Sequence, residues 1–422
     1  DFNRQSLNEN GLGSVLFNAI NMPSVFSVYD TNGDYTLLPS TAGYGLEVIN
    51  PLAQIQNTYN SYNQERLNGS VSLEYKVFND LKITSRYGFQ RANSVGKSFN
   101  MLVFYGPSKV FNNVDQSTVS QNTIKFNNST FDLFGEYKKT LFTDHTFKLT
   151  LGGTLYQENG EGLFATGYDV PNNSWEYADI ALANGTPSGG PIKTNGSYKA
   201  TPYKRPSLFA TLDYNFKEKY LLSFIFRRDQ SSKFGPENSV AYFKSILGGW
   251  IISEEDFFNK DGKLNFLKLR GSYGTLGNDV AGNSDFRSLL VNSSYVINNT
   301  LTNGVATGKI PNTKIKWETD TKLDLGLDVR MLNNKIDITA DYFNDKRTDL
   351  LVGGVPISGI NGGNAPGSGS PTVNAGTVVN KGFEFSMNYK NDSNKIKYSL
   401  GFNATTINNE VLEVKNSTGY IE

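Results

Sequence analysis

The residues that could do acid, base or metal chemistry are few, and their spacing does not suit it. Glu254, Glu255 and Asp256 are consecutive, whereas a catalytic pair needs two carboxyls set across a cleft at a defined separation. The run therefore reads as a solvated turn. The one histidine, His145, opens an alternating run that ends at Gln157, and it reads as a polar residue at a strand start. Nothing places a Ser and an Asp beside it for a triad. Asp30-Thr-Asn-Gly-Asp34 is a faint version of a calcium loop, but its Gly stands fourth instead of sixth and no Glu stands twelfth. It too reads as a turn. Gly271-Ser-Tyr-Gly-Thr-Leu-Gly277 lacks the strand-turn-helix context of a phosphate loop. With no cysteine in the chain, thiol nucleophiles, disulfides and Cys-based metal sites drop out together. The expectation is a protein that is not an enzyme and holds no cofactor and no metal. What remains is aromatic. Tyr168, Trp175 and Tyr177 lie in a polar, Gly- and Pro-containing stretch, 158–203, where rings on a loop can stack on sugars or pack against peptides. They are the candidate substrate-binding residues, weighed against a loop that packs on itself.

Composition narrows the partners. Forty basic and forty acidic residues cancel, so no global field recruits nucleic acid. No run of eighteen apolar residues could form a transmembrane helix. A membrane strand needs only alternation over about ten residues, so hydropathy is silent on a barrel. The 23 Tyr, 28 Phe and 41 Gly, with frequent Asn and Ser, mark a β-rich chain.

The elements that must carry any site are strands. Leu208, Ala210, Leu212, Tyr214 and Phe216 alternate with polar neighbours, and Tyr220, Leu222, Phe224 and Phe226 repeat the pattern after Lys217–Lys219, which predicts a hairpin. Val71 to Val77 and Leu81 to Phe89 predict another around Asn79-Asp80. Further strands are expected at Ser117–Phe126, Thr130–Thr140 and Thr146–Gln157, then at Leu323–Val329, Ile336–Tyr342, Phe383–Tyr389 and Ile396–Phe402. Residues 1–65 read as an irregular, loop-rich segment with one helical turn at Ser14–Asn21, and 66–422 as strands joined by long loops at 158–203, 278–312 and 353–376. A soluble sandwich has the same period as a barrel. Short turns at 79–80, 217–219, 332–334 and 391–395 broadly alternate with long connections, as bacterial outer-membrane barrels require. The expected fold class is all-β, an antiparallel transmembrane β-barrel.

Several motifs then occur in order. Arg227-Arg-Asp-Gln-Ser-Ser-Lys-Phe-Gly-Pro236, Phe243-Lys-Ser-Ile-Leu-Gly-Gly-Trp250 with Ser253-Glu-Glu255, and Leu267-Lys-Leu-Arg-Gly-Ser-Tyr-Gly-Thr-Leu-Gly-Asn-Asp279 resemble the barrel signature of the SusC/RagA family of TonB-dependent outer-membrane transporters. Phe17-Asn-Ala-Ile-Asn-Met-Pro23, Val28-Tyr-Asp30 and Asn50-Pro-Leu-Ala53 extend the match upstream, and Lys316-Trp-Glu-Thr319, Asp349-Leu-Leu351 and Asn380-Lys-Gly-Phe-Glu384 extend it downstream. Gln230, Ser239 and Lys244 depart from the pattern where the family usually has Gly, Arg and Pro. The resemblance covers nearly the whole chain and implies the central part of a plugged barrel of about 22 strands, roughly half of it present. The plug and TonB box of such transporters are not found in this sequence. The resemblance also implies a place in the bacterial outer membrane, contact with its lipid, a SusD-like surface lipoprotein as lid, the TonB complex acting through the missing plug, and uptake of an oligosaccharide or peptide. A passive porin or surface adhesin barrel and a soluble carbohydrate-binding β-sandwich are the competing readings.

Overall fold

The computed structural model describes residues 14–39, 47–110, 112–185, 193–259, 262–353, 369–391 and 396–414. Two short helices precede the strands. Ser14 caps α1 (Val15–Asn21) by accepting from the Phe17 N–H, and Asn50 caps α2 (Pro51–Gln56), whose first residue is the proline suited to that position. The strands are β1 (Thr58–Phe78), β2 (Leu81–Asn100), β3 (Thr118–Leu141), β4 (His145–Tyr168), β5 (Lys193–Lys199), β6 (Tyr203–Phe216), β7 (Tyr220–Gln230), β8 (Val240–Ile251), β9 (Leu264–Asn278), β10 (Leu290–Ile297), β11 (Thr300–Thr307), β12 (Glu318–Met331), β13 (Ile336–Thr348), β14 (Leu351–Val352), β15 (Val373–Asn374), β16 (Gly376–Asn391) and β17 (Tyr398–Val414).

Thirteen of them form one sheet in chain order, β1-β2-β3-β4-β6-β7-β8-β9-β12-β13-β16-β17, with β5 added on β4. β10-β11 and β14-β15 are separate two-stranded pieces. Among the described residues β1 and β17 stand at the two ends of the order, so this sheet is open.

The strands are longer than their aliphatic alternation. β1 begins at Thr58, inside the segment 1–65 expected to be irregular, and the strands expected at Ser117–Phe126 and Thr130–Thr140 are one strand, β3. The stretch 158–203, expected as loop, carries the end of β4, three 3-10 turns and β5, and 278–312 carries the β10-β11 hairpin. Of 353–376, residues 354–368 lie outside the described residues. The cause of these differences is height. A strand of 24 residues, as in β3 and β4, rises roughly 80 Å, while the apolar band of an outer-membrane barrel is about 25 Å tall. Beyond that band both faces of a strand meet water, and the period vanishes while the hydrogen bonding continues.

The chain divides into two compact units, one of Asp1–Gly69, Phe89–Asn128 and Glu158–Ala200, the other of Ser70–Gly88, Ser129–Gln157 and Thr201–Glu422. In the second unit, register shows how the two faces of the sheet differ. Leu222, Gly248, Gly271, Leu325, Tyr342 and Phe383 pair across β7, β8, β9, β12, β13 and β16 in one row. The next residue along each strand belongs to a row that includes Gly249, Arg270, Gly326, Asp341 and Glu384. One face is apolar with Leu325 and Phe383 exposed; the other is charged. That is a wall between lipid and a wet interior.

Tight turns join several hairpins with left-handed residues in sequence: Lys217 and Glu218 (φ 55° and 57°), Asn298 and Asn299 (51° and 62°), and Leu332, Asn333 and Asn334 (54°, 57° and 61°). Consecutive positive φ values match the twist of hairpin strands. The Asn pairs suit them, whereas Lys217 and Glu218 carry the Cβ penalty of that conformation.

The longest signature motif ties the second unit together. Asp279, just after β9, is buried and accepts from the Tyr203 hydroxyl at 2.5 Å and the Ser231 hydroxyl at 2.7 Å. Lys233 donates to its carbonyl at 3.0 Å and lies over the Tyr203 ring. Beside this knot Phe234, Phe243, Ala281, Ile315 and Trp317 form a buried cluster, with the Trp317 indole donating to the Ser239 carbonyl. Gly277 is required there, because a Cβ would sit 1.9 Å from the Phe243 ring. Gln230 simply ends β7 opposite Val240, and Lys244 pairs with Phe226 in the β7-β8 ladder, so these departures from the family pattern are absorbed by strand.

Candidate functional site

In the first unit, β2 and β3 present two unlike faces. Lys97 and Phe99 alternate with Gly96 and Ser98, so their side chains point to opposite sides. Phe99 belongs to a buried cluster with Val119, Val170 and Ala178, against which Tyr59, Met101, Trp175 and Ile180 pack. Trp175 stacks on Tyr59 at 5.8 Å with 14° between the planes, and the Lys97 ammonium lies 4.3 Å from the indole centroid.

The other face is polar. A groove of about 370 Å³ there is lined by Tyr62, Ser98, Ser120, Asn122, Phe164 and Thr166, among others, and no carboxylate lines it. Ser120 and Thr166 hydroxyls bond at 2.8 Å, and the Tyr62 hydroxyl donates to Ser94 at 3.0 Å. Asn122 folds over Gly96, where a Cβ would meet its amide oxygen at 2.5 Å. Amides, hydroxyls and one exposed phenyl ring can hydrogen-bond and stack on a neutral, hydroxyl- or amide-rich ligand.

The three rings singled out from sequence are not all exposed and do not line this groove. Tyr168 is half-buried at the end of β4, bridged through its backbone to Gly185. Trp175 is half-buried, on the face of the strands opposite the groove. Tyr177, at the end of the same 3-10 turn, is 44% exposed. The groove residues escaped the sequence reading because Asn, Ser and Thr are common throughout this chain. The only signal was the run of small and polar residues at the ends of β2 and β3.

In the second unit the charged face is closely paired. Arg270 on β9 reaches across Gly326 of β12 to Asp341 of β13 at 2.6 Å, with Asp324 at 3.3 Å and Asp328 at 3.4 Å. A Cβ on residue 326 would lie 2.4 Å from the guanidinium carbon, so the glycine leaves the room this bridge occupies. Lys322 pairs with Asp345 and Asp320, and Arg347 with Asp320. Arg270, Asp324 and Asp328 are thus brought together, whereas Asp213 accepts from Ser223 at 2.6 Å.

The remaining chemical candidates have structural partners. His145 Nδ1 bonds the Tyr214 hydroxyl at 2.9 Å. Asp30 accepts from the Asn32 and Asp34 N–H groups, an Asx turn. Glu255 accepts from Tyr220 (2.7 Å), Trp250 (2.9 Å) and Lys219 (3.2 Å). The Tyr220 hydrogen bond, then those of Trp250 and Lys219, hold its carboxyl below the usual carboxylate range. Burial pushes the Lys109 ammonium, which donates to the Val48 carbonyl at 2.8 Å, below the usual lysine range. Among the described residues no group of three or more His, Asp or Glu is placed to hold a metal.

The family model for the TonB-dependent receptor-like β-barrel matches residues 8–420. The chain belongs to that family. Members of this barrel family reside in the outer membrane. "TonB-dependent receptor P3" of Formosa agariphila is 28% identical over 412 residues, covering 96% of this chain and 38% of that protein. "TonB-dependent receptor SusC" of Bacteroides thetaiotaomicron is 29% identical over 377 residues, covering 86% and 35%. The chain thus spans little more than a third of these receptors. In fold, this TonB-dependent barrel wall is similar to the RagAB peptide importer in its closed-closed state, with a TM-score of 0.81 at 21% identity, over 98% of this chain and 44% of that one. The resemblance to SusC/RagA is borne out by the family model and the SusC relative, and the open sheet is part of such a barrel.

Proposed function

We propose that this wall belongs to an energised nutrient importer that takes up an oligosaccharide or a peptide, with a SusD-like surface lipoprotein as lid and the TonB complex acting through a plug. The single observation that carries the reading is the polar groove of the first unit, lined mainly by amides and hydroxyls, with Lys97 at its border and no carboxylate. Both ligand classes offer many neutral hydrogen-bonding groups, and the amides and hydroxyls of such a surface meet them. The likeness to SusC and to the RagAB importer supports the same reading. Outside that groove, Tyr177 is the exposed ring of the set Tyr168, Trp175 and Tyr177 and offers the ligand a separate contact, while Trp175 is held by Tyr59 and Lys97.

The test uses the receptor that carries this wall, reconstituted with its lipoprotein, and titrates it with pools of neutral oligosaccharides and of short peptides. Asn122→Ala with Ser120→Ala is expected to weaken binding of one pool about tenfold, the equivalent of one to two hydrogen bonds, and Tyr177→Ala to weaken the same pool. Unchanged binding in both variants sinks the site. Uptake that continues in cells lacking TonB sinks the energised importer in favour of a passive porin.

A further inference from the structure

The apolar face of the second unit is not uniformly ridged. Around Gly248 and Gly271, paired directly across β8 and β9, it holds a groove of about 1080 Å³. Leu222 and Leu325 flank the glycine pair in register, and Tyr342 and Phe383 continue the same row. Gly248 is the telling residue. A Cβ there would meet nothing within 4 Å, so no packing demand explains the missing side chain. The hollow spans the glycine pair on a face where Leu222 and Leu325 project on either side of it.

One end of the groove is polar. Tyr220 and Trp250 line it, and both direct their polar atoms at one Glu255 oxygen. Lys219 joins Glu255 at 3.2 Å and Asp256 at 3.6 Å, and the Asp256 side chain is fully exposed. Tyr220 follows a three-residue turn, and short turns mark the periplasmic side of such barrels, where the leaflet is phospholipid. Beyond Tyr220 and Trp250 the Lys219 ammonium, 17% exposed and shared by Glu255 and Asp256, stands beside the exposed Asp256 carboxylate, next to an apolar trough floored by glycine.

We propose that this groove binds a zwitterionic phospholipid of the inner leaflet, of the phosphatidylethanolamine type. One acyl chain lies over Gly248 and Gly271, the lipid phosphate meets Lys219, and the lipid ammonium meets Asp256. An anionic headgroup has a partner for its phosphate but none for the carboxylate, so the site discriminates by charge pairing as well as by fit. The site is independent of what the transporter carries.

The receptor is purified in detergent and exchanged against phosphatidylethanolamine, phosphatidylglycerol and lipopolysaccharide, and bound lipid is counted by native mass spectrometry. Phosphatidylethanolamine is expected to be retained in preference to the other two. Gly248→Leu places a side chain in the hollow, its Cβ meeting nothing within 4 Å, and is expected to lower that retention about tenfold, the equivalent of roughly two methylene burials. Asp256→Asn is expected to abolish the preference over phosphatidylglycerol while acyl binding persists. Heat-modifiable gel migration confirms that both variants remain folded; should Gly248→Leu fail that check, Gly248→Ala replaces it, with a smaller loss in the same direction. Equal retention of the two phospholipids by the parent receptor, unchanged retention in the Gly248 variant, or a groove filled by a copurifying protein or a second copy of the chain overturns the proposal.

Discussion

Replacing Asp279 tests whether the signature motif acts as a knot. Its carboxylate is the common acceptor for two buried hydroxyls, Tyr203 and Ser231. Asp279→Ala removes two hydrogen bonds to a charged group, each contributing about 1.5–3 kcal/mol, so the summed loss is about 3–6 kcal/mol. Tyr203→Phe removes one of them and costs about 1.5–3 kcal/mol by the same reckoning. In the double variant the shared bond is counted once, which leaves a coupling of about 1.5–3 kcal/mol between the two sites. Asp279→Asn keeps an acceptor oxygen in place and falls between parent and alanine variant. The measurement is urea unfolding of the receptor in detergent micelles, followed by indole fluorescence, since Trp317 lies in the cluster beside the knot. A loss below about 0.5 kcal/mol for Asp279→Ala, within the range of ordinary surface changes, or strict additivity with Tyr203→Phe, refutes the argument.

Trp317→Ala empties the centre of the Phe234, Phe243 and Ile315 cluster and is expected to cost about 3–5 kcal/mol, read by the same titration. Gly326→Ala puts a methyl against the Arg270 guanidinium and the Asp341 carboxylate; because this network is partly hydrated, the expected loss is about 1–3 kcal/mol. Lys217→Asn with Glu218→Gly relieves two left-handed residues and is expected to raise stability by about 1 kcal/mol or more. Glu255, whose carboxyl titrates low, stabilises the fold fully above its unfolded value near 4.5, and that contribution is lost as pH falls through the depressed folded value. The thermal midpoint of the parent should therefore drop below that pH, with a shallower drop in Glu255→Gln.

Strand existence was legible wherever lipid enforces a period. Val71 to Val77, Leu208 to Phe216 and Leu323 to Val329 alternate because one side of each meets hydrocarbon, and all three lie in strands. The continuation of β1 to Thr58 and of β4 to Tyr168 was not legible, because backbone pairing alone holds those ends and any polar residue serves. The same physics hid the groove: Ser98, Ser120 and Asn122 look like loop residues until strands align them. Trp175 was visible as an unusual residue, but sequence could not show that Tyr59 and Lys97 claim its ring. The Arg227 to Pro236 motif announced the family without revealing that Ser231 and Lys233 close on Asp279.

The sheet order has a consequence for how the wall is made. Every strand on its main path neighbours the one before it along that path, so the wall can grow by one hairpin at a time as the chain is delivered. Each addition satisfies the previous free edge and exposes one new one. Loop closure is cheapest between such neighbours, and the long outer loops interrupt the order of delivery without changing it. A growing wall of this kind always carries a single advancing seam, and whatever shields that seam during insertion needs to recognise a bare strand edge, not a sequence.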